Sequence, residues 1–170
     1  VPKGVLLAIY AIPAEFVVKT VEEAAQMGIK NHLIISSGFG ESDERGKLRE
    51  KELKALINIY HLLLQGPNCL GNISTIYNFN GSFGPPAGGL APKGNIGFIS
   101  QSGAMGTAFL DWIAKRSLGI SHFISLGNKI NLNENDFLEY LCQDKNTKVI
   151  ALYLENISDG CKFLELAKKI

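Results

Sequence analysis

The sequence predicts an α/β fold built as two parallel-sheet domains. Three observations carry that expectation. Apolar runs of strand length alternate with amphipathic stretches of helix length along most of the chain, the pattern of βαβ units. The run 5–12 is continuously apolar rather than alternating, which marks a strand buried on both faces of a parallel sheet. Each run also ends in small, polar or ionisable residues: Pro13-Ala14, Ser36 to Gly38, Asn68-Cys69, Gln101 to Gly103, Gly127-Asn128 and Glu155. Parallel sheets bind their ligands at these carboxyl ends.

The elements follow in order. Strand 5–12 is stopped by Pro13, and a helix runs from there to about Met27. Phe16, Val17, Val21, Ala24 and Ala25 share its apolar face, and Gly28 closes it. Strand 32–36 leads into Ser36-Ser37-Gly38-Phe39-Gly40. A charged stretch from Glu41 then opens a helix to about Tyr60, with Leu48, Leu56 and Ile59 expected inward. A short strand, 62–64, runs into Gly66-Pro67-Asn68-Cys69-Leu70-Gly71. Residues 72–93 are rich in Asn, Gly, Ser and Pro, including Pro85-Pro86 and Gly88-Gly89, and read as a long connection. A domain boundary is placed in it, giving domains 1–91 and 92–170.

The alternation then resumes with strand 96–100, which turns sharply into a helix over 103–116. Met105, Ala108, Phe109, Trp112 and Ile113 stand at i, i+3, i+4, i+7 and i+8, one apolar face. Ser102, Gly103 and Ala104 form a helix start poor in side chains. Such a terminus offers free N–H groups and the positive end of the helix dipole, a seat for phosphate or another anion. The bland alternative is that Ser102 only caps the helix. Strand 121–126 and a helix at 135–142 come next, the latter with Phe137, Leu138 and Leu141 inward. Strand 149–154 and a final helix from near Gly160 complete the chain.

Composition excludes several classes. The chain has 170 residues, 46% hydrophobic and 19% charged, with a net charge of +1. That balance points to neither a nucleic-acid partner nor a membrane. No run is long enough to span a bilayer and no signal peptide is visible. Three cysteines, Cys69, Cys142 and Cys161, lack a zinc spacing and fit a reducing cytoplasm. Val1 is not an initiator methionine, and the last residues read as a helix without a stop. The sequence therefore reads as a portion of a longer chain.

Familiar motifs fail. No Gly-x-Gly-x-x-Gly follows a first strand, and the P-loop spacing at Gly89 to Gly94 meets Asn95 where lysine is required. Ser100-Gln101-Ser102-Gly103 is not a Gly-x-Ser-x-Gly elbow. No carboxylate cluster suggests a metal. Glu155 stands at a strand exit, where a carboxylate needs a partner or serves in proton exchange. Cys69 reads as a small structural cysteine rather than a nucleophile, since no histidine neighbour is identifiable to activate it.

Six stretches together resemble the α-type part of the nucleoside-diphosphate-forming acyl-CoA synthetases. They are 12–16, 34–40, 66–71, 92–106, Ser125-Leu126-Gly127-Asn128-Lys129 and Leu152-Tyr153-Leu154-Glu155. Ser-Gln-Ser-Gly-Ala and Ser-Leu-Gly-Asn-Lys make the ADP-forming acetyl-CoA synthetases the nearer branch, with the succinyl-CoA synthetase α subunit related. The resemblance implies a partial Rossmann-like CoA-binding domain followed by a partial flavodoxin-like ligase domain. It implies conversion of a small carboxylic acid, CoA and ATP to acyl-CoA, ADP and phosphate through an acyl phosphate and a phosphohistidine. It puts Pro13, Ala14, Ser36, Ser37 and Gly38 in the CoA pocket and Asn68 and Cys69 near the thiol. The phosphoryl group falls at Ser102, Gly103 and Ala104, and Glu155 becomes the partner of the phosphohistidine. None of His32, His61 and His122 matches that histidine, which the family carries downstream of the last helix here. ATP or ADP with Mg would bind a separate ATP-grasp domain or β subunit outside this chain, in an oligomeric assembly, so the chain alone should be inactive. Two other readings stay open: a CoA-binding module fused to a lysine acetyltransferase, and a non-catalytic CoA- or nucleotide-binding protein.

Overall fold

A computed structural model of the chain describes residue 2 and residues 4–83, 92–116 and 118–169. The contacts divide it into two units, Val1–Cys69 with Gly127–Leu132 and Leu70–Leu126 with Asn133–Ile170.

The first unit holds β1 (Leu7–Tyr10), α1 (Ala14–Gln26), β2 (Asn31–Ile34), α2 (Glu44–Tyr60) and β3 (Leu63–Gln65). The strands are parallel in the order β1-β2-β3, with Tyr10 opposite Ile34 and Leu33 opposite Gln65. Tyr10, Ile34 and Leu64 meet Val17, Val21 and Ala25 of α1 and Leu53, Leu56 and Ile57 of α2 in one apolar cluster. Asp43 caps α2 by accepting from the Gly46 N–H at 2.8 Å. Residues 127–132 run beside β3: Leu132 donates its N–H to the Leu64 carbonyl at 3.0 Å, and the Asn131 side chain accepts from the Leu64 N–H at 2.8 Å.

Three expectations change here. Leu48 and Ile59 point to solvent, and Leu53 and Ile57 join Leu56 as the inward residues of α2. Phe16 is likewise exposed, outside the Val17, Val21 and Ala25 stripe. Strand β1 is not buried on both faces: Leu7 and Ile9 are exposed while Tyr10 is buried. The apolar cluster covers the Tyr10 side of this strand only, so alternate residues part company despite equal hydrophobicity.

The second unit holds β4 (Gly71–Ser74), β5 (Phe79–Ser82), β6 (Lys93–Ser100), α3 (Gly103–Lys115), β7 (Ile120–Ser125), α4 (Glu134–Gln143), β8 (Val149–Tyr153) and α5 (Gly160–Ala167). Its five strands run in the order β5-β4-β7-β6-β8. Strands β7, β6 and β8 are parallel as expected. The hairpin β4–β5 was not expected, because Asn, Ser and Gly dominate it. It is held by antiparallel pairing to β7, with Ile73 opposite Phe123 and buried. The sheet is therefore mixed. Pro85-Pro86, Gly88-Gly89 and the expected boundary after residue 91 lie outside the described residues.

Strand β7 buries all six of its residues, polar ones included. His122 Nε2 lies 3.1 Å from the Asp144 carboxylate, which also accepts from Thr147 Oγ1 at 2.7 Å. Burial pushes the Asp144 carboxyl up, but bonds from Thr147 and Asn146 and the field of His122 outweigh it, holding the pKa at about 2.

Helix α3 turns only part of the expected face inward: Ile113 is buried and Phe109 packs against the core, but the face is shifted. Gly106, Leu110 and Ile113 are buried, while Met105 and Trp112 are exposed and Arg116 stacks over the Trp112 ring at 4.5 Å. Glycine adds no weight to a hydrophobic pattern, yet Gly106 lies close against the Phe123 ring of the sheet. A Cβ on Gly106 would come within 2.8 Å of the Phe123 ring. Gly106→Ala is expected to destabilise the protein by about 1–3 kcal/mol through overpacking. Calorimetry reads this as a lowered midpoint, and an unchanged midpoint would show that the ring yields freely.

Candidate functional site

In the second unit, β6 ends at the buried Ser100, whose hydroxyl donates to the Ser102 carbonyl at 2.7 Å. Ser102 caps α3 and accepts from the Met105 N–H at 3.3 Å. The N–H groups of Gly103 and Ala104 lie in the first turn, before any intrahelical partner exists. Ser102 and Gly103 are half-buried and Ala104 is exposed. Nothing in the packing demands glycine at 103. A Cβ there would meet only the Leu70 side chain, at an ordinary 3.4 Å, and its φ is not in the left-handed range. The bareness of this helix start is thus not a requirement of the fold.

Beside it lies the exit of β8. Gln101 donates its N–H to the Tyr153 carbonyl at 2.8 Å. Its side-chain oxygen accepts from the Glu155 N–H at 3.0 Å and the Asn156 N–H at 3.3 Å. Further along, the carboxylate of Glu134, fully buried at the start of α4, accepts from the N–H and hydroxyl of Ser158. The Asn135 amide donates to the Asp159 carbonyl at 3.0 Å. The loop carrying Glu155 is therefore pinned at both ends. Glu155 itself is exposed, against the expectation of a carboxylate leaving a central strand. Among the described residues β8 is the last strand in the sheet order.

In the first unit the three strand exits converge. Pro13 stands before the first turn of α1, and the Ala14 Cβ lies 3.1 Å from where a Cβ of Gly38 would fall. Gly38 has a φ of +98°, a conformation glycine adopts without strain. The Ser36 hydroxyl is bonded to Ile12, accepting from its N–H at 3.1 Å and donating to its carbonyl at 2.5 Å. Asn68, at φ 60°, donates its N–H to the Ser36 carbonyl at 3.0 Å. The buried Cys69 thiol donates to the Ile34 carbonyl at 3.3 Å. Ser37 and Asn68 are exposed.

Glu41 went unnoticed in the sequence. One carboxylate oxygen accepts from the Gly38 N–H at 2.6 Å and the Phe39 N–H at 3.2 Å, and the other accepts from the Asn128 amide at 2.5 Å. Burial pushes this carboxyl up, but the bonds from Asn128 and the two N–H groups hold it below the ordinary glutamate range. The loop after β2 thus carries its own internal anion. The only signal in the sequence is an acidic residue three places beyond Gly38.

The histidines are spent elsewhere. His32 is buried between the Tyr10 hydroxyl at 2.8 Å and the Ile29 carbonyl at 3.0 Å, and His61 caps α2 in a left-handed conformation. Among the described residues, no three His, Cys, Asp or Glu side chains are grouped to hold a metal ion, and no helix is long and apolar enough to cross a membrane.

Parallel strand exits in both units, one with a bare helix start beside the loop of Glu155, are the ligand-binding ends of an α/β fold. Residues 93–170 match the family model described as the succinyl-CoA ligase like flavodoxin domain. The whole chain is 44% identical to the Pyrococcus furiosus acetate–CoA ligase [ADP-forming] II subunit alpha and 43% identical to the Archaeoglobus fulgidus acetate–CoA ligase [ADP-forming] I. It spans 36% and 24% of those relatives. It also superposes, with a TM-score of 0.90 and 34% identity, on the Ca. Korarchaeum cryptofilum dinucleotide forming acetyl-coenzyme A synthetase 1 in complex with phosphate and ADP. That match covers 99% of this chain and 36% of the other. The chain belongs to the nucleoside-diphosphate-forming acyl-CoA synthetase family.

Proposed function

We propose that this chain is part of an ADP-forming acyl-CoA synthetase, which makes acyl-CoA, ADP and phosphate from a small carboxylic acid, CoA and ATP. The reading divides the work between the units. The first binds CoA at Pro13, Ala14, Ser36, Ser37, Gly38, Asn68 and Cys69. Of these, Ser37 and Asn68 are exposed; Ser36, Gly38 and Cys69 have polar groups bonded within the unit, and the Asn68 amide donates to the Asn128 side chain at 3.3 Å. The second unit receives the phosphoryl group at Ser102, Gly103 and Ala104.

The observation that carries the reading is the helix start itself. Two unpaired N–H groups and a positive helix end face outward over a glycine that packing does not require, and the neighbouring Gln101 ties that turn to the Glu155 loop. A phosphoryl group in transit carries negative charge that such donors stabilise. Glu155 holds the proton and orientation of the histidine that carries it. That histidine belongs to a part of the longer protein outside this chain, as does the ATP-grasp domain or β subunit that supplies ATP with Mg. A cytoplasmic, oligomeric enzyme completes the reading. The names of the relatives favour a ligase over an acetyltransferase-fused module or a non-catalytic binder.

The test uses the full-length protein with its ATP-binding part. Incubation with ATP labelled at the γ-phosphate is expected to give an acid-labile, base-stable phosphoprotein that is discharged by ADP, which takes the phosphoryl group back to ATP, or by a carboxylic acid with CoA, which takes it through the acyl phosphate to free phosphate. Binding of CoA with no phosphoprotein at all would favour the non-catalytic reading.

A further inference from the structure

Gln101 is half-buried between two strand exits, and all of its polar contacts of known geometry point the same way. Its backbone N–H reaches Tyr153, and its side-chain oxygen receives the N–H groups of Glu155 and Asn156. Two donors facing one amide end fix which atom is oxygen, since the amide nitrogen cannot accept. One residue later stands Ser102, the cap of α3. Gln101 is therefore a rigid two-atom link between the bare helix start and the backbone of Glu155. The far end of the same loop is held independently by Glu134 through Ser158.

We propose that Gln101 is a positioning residue of this site, setting where the Glu155 carboxylate stands relative to the helix start at Ser102–Ala104. The inference rests on the reading of Glu155 as the partner of the phosphohistidine. The physical reason is that the place of a carboxylate is set first by its own backbone, and two hydrogen bonds to one side-chain oxygen restrain that backbone at Glu155 and Asn156. Gln101 supplies that restraint with two hydrogen bonds and leaves the carboxylate free for chemistry. Removing the oxygen leaves the fold standing, because Glu134 and the β6–β8 ladder remain.

The experiment is a double-mutant cycle in the full-length protein with its ATP-binding part. Gln101→Met keeps the length and removes the acceptor; Glu155→Gln removes the carboxylate. Phosphoenzyme formation from labelled ATP is followed in single turnovers, with the KM for CoA and the thermal midpoint measured alongside. Gln101→Met alone is expected to slow phosphoenzyme formation about tenfold, with the KM for CoA and the midpoint unchanged. In the Glu155→Gln background it is expected to cause no further slowing, because the residue it positions is already gone. Equal slowing in both backgrounds overturns the inference, as does a wild-type rate for Gln101→Met. A wild-type rate for Glu155→Gln overturns the reading of Glu155 instead, and the two failures are thereby distinct. Should Gln101→Met not accumulate as folded protein, Gln101→Asn withdraws the same oxygen by one methylene and takes its place in the cycle.

Discussion

Glu155→Gln in the full-length protein is expected to slow phosphoryl transfer from ATP by about a hundredfold or more while CoA affinity stays unchanged. The magnitude is that of losing a positioned acid–base group. Glutamine keeps the shape and can still accept a hydrogen bond, but it carries no charge to favour a protonated imidazole and no proton to exchange. The backbone of the Glu155 loop is held by Gln101 and Glu134, and neither contact involves the Glu155 side chain. Neutralising the carboxylate should therefore leave the thermal midpoint where it was. Rapid-quench measurement of the phosphoenzyme, with calorimetric titration of CoA, separates the outcomes. Parallel loss of CoA binding would make Glu155 a structural residue.

Ala104→Asp is the second large effect, and its two consequences have opposite signs. Ala104 is exposed in the first turn of α3, a turn with no acidic residue of its own. A carboxylate there meets the positive end of the helix dipole and should stabilise the fold by roughly 0.3–1 kcal/mol. The same charge would occupy the seat proposed for the phosphoryl group. Activity is expected to fall by about a hundredfold or more, the scale of losing a donor aimed at developing charge. Ala104→Asn has nearly the same shape without the charge and should lose far less. Steady-state rates and melting curves of the two variants decide the matter. A fully active Ala104→Asp enzyme would place the phosphoryl group elsewhere.

How much of this was legible in the sequence depends on the range of the interaction that made it so. The strand and helix order, the hairpin β4–β5 apart, was readable because apolar periodicity and breakers such as Pro13 and Gly28 act within a few residues. The inward faces were read less well. In α2 the exposed Leu48 and Ile59 are as apolar as the buried Leu53 and Ile57, so only the layer they meet distinguishes them. In α3 the contact surface is centred on a glycine that a hydrophobic pattern scores as blank. The hairpin β4–β5 was missed because its own residues favour turns, and its pairing with β7 outweighs them.

The sequence by itself determined the class of the protein. It supplied the order of the elements, the small and polar residues at each strand exit and the motifs in register that place the chain in its family. These are local features, complete within a few residues each. Only the tertiary structure decided which exits meet. It joined Gln101 to Glu155 across 54 positions and Glu41 to Asn128 across 87. Contacts at such separations depend on how sheets and loops pack. No pattern along the chain records them, so the residue that orients the candidate site became visible only in three dimensions.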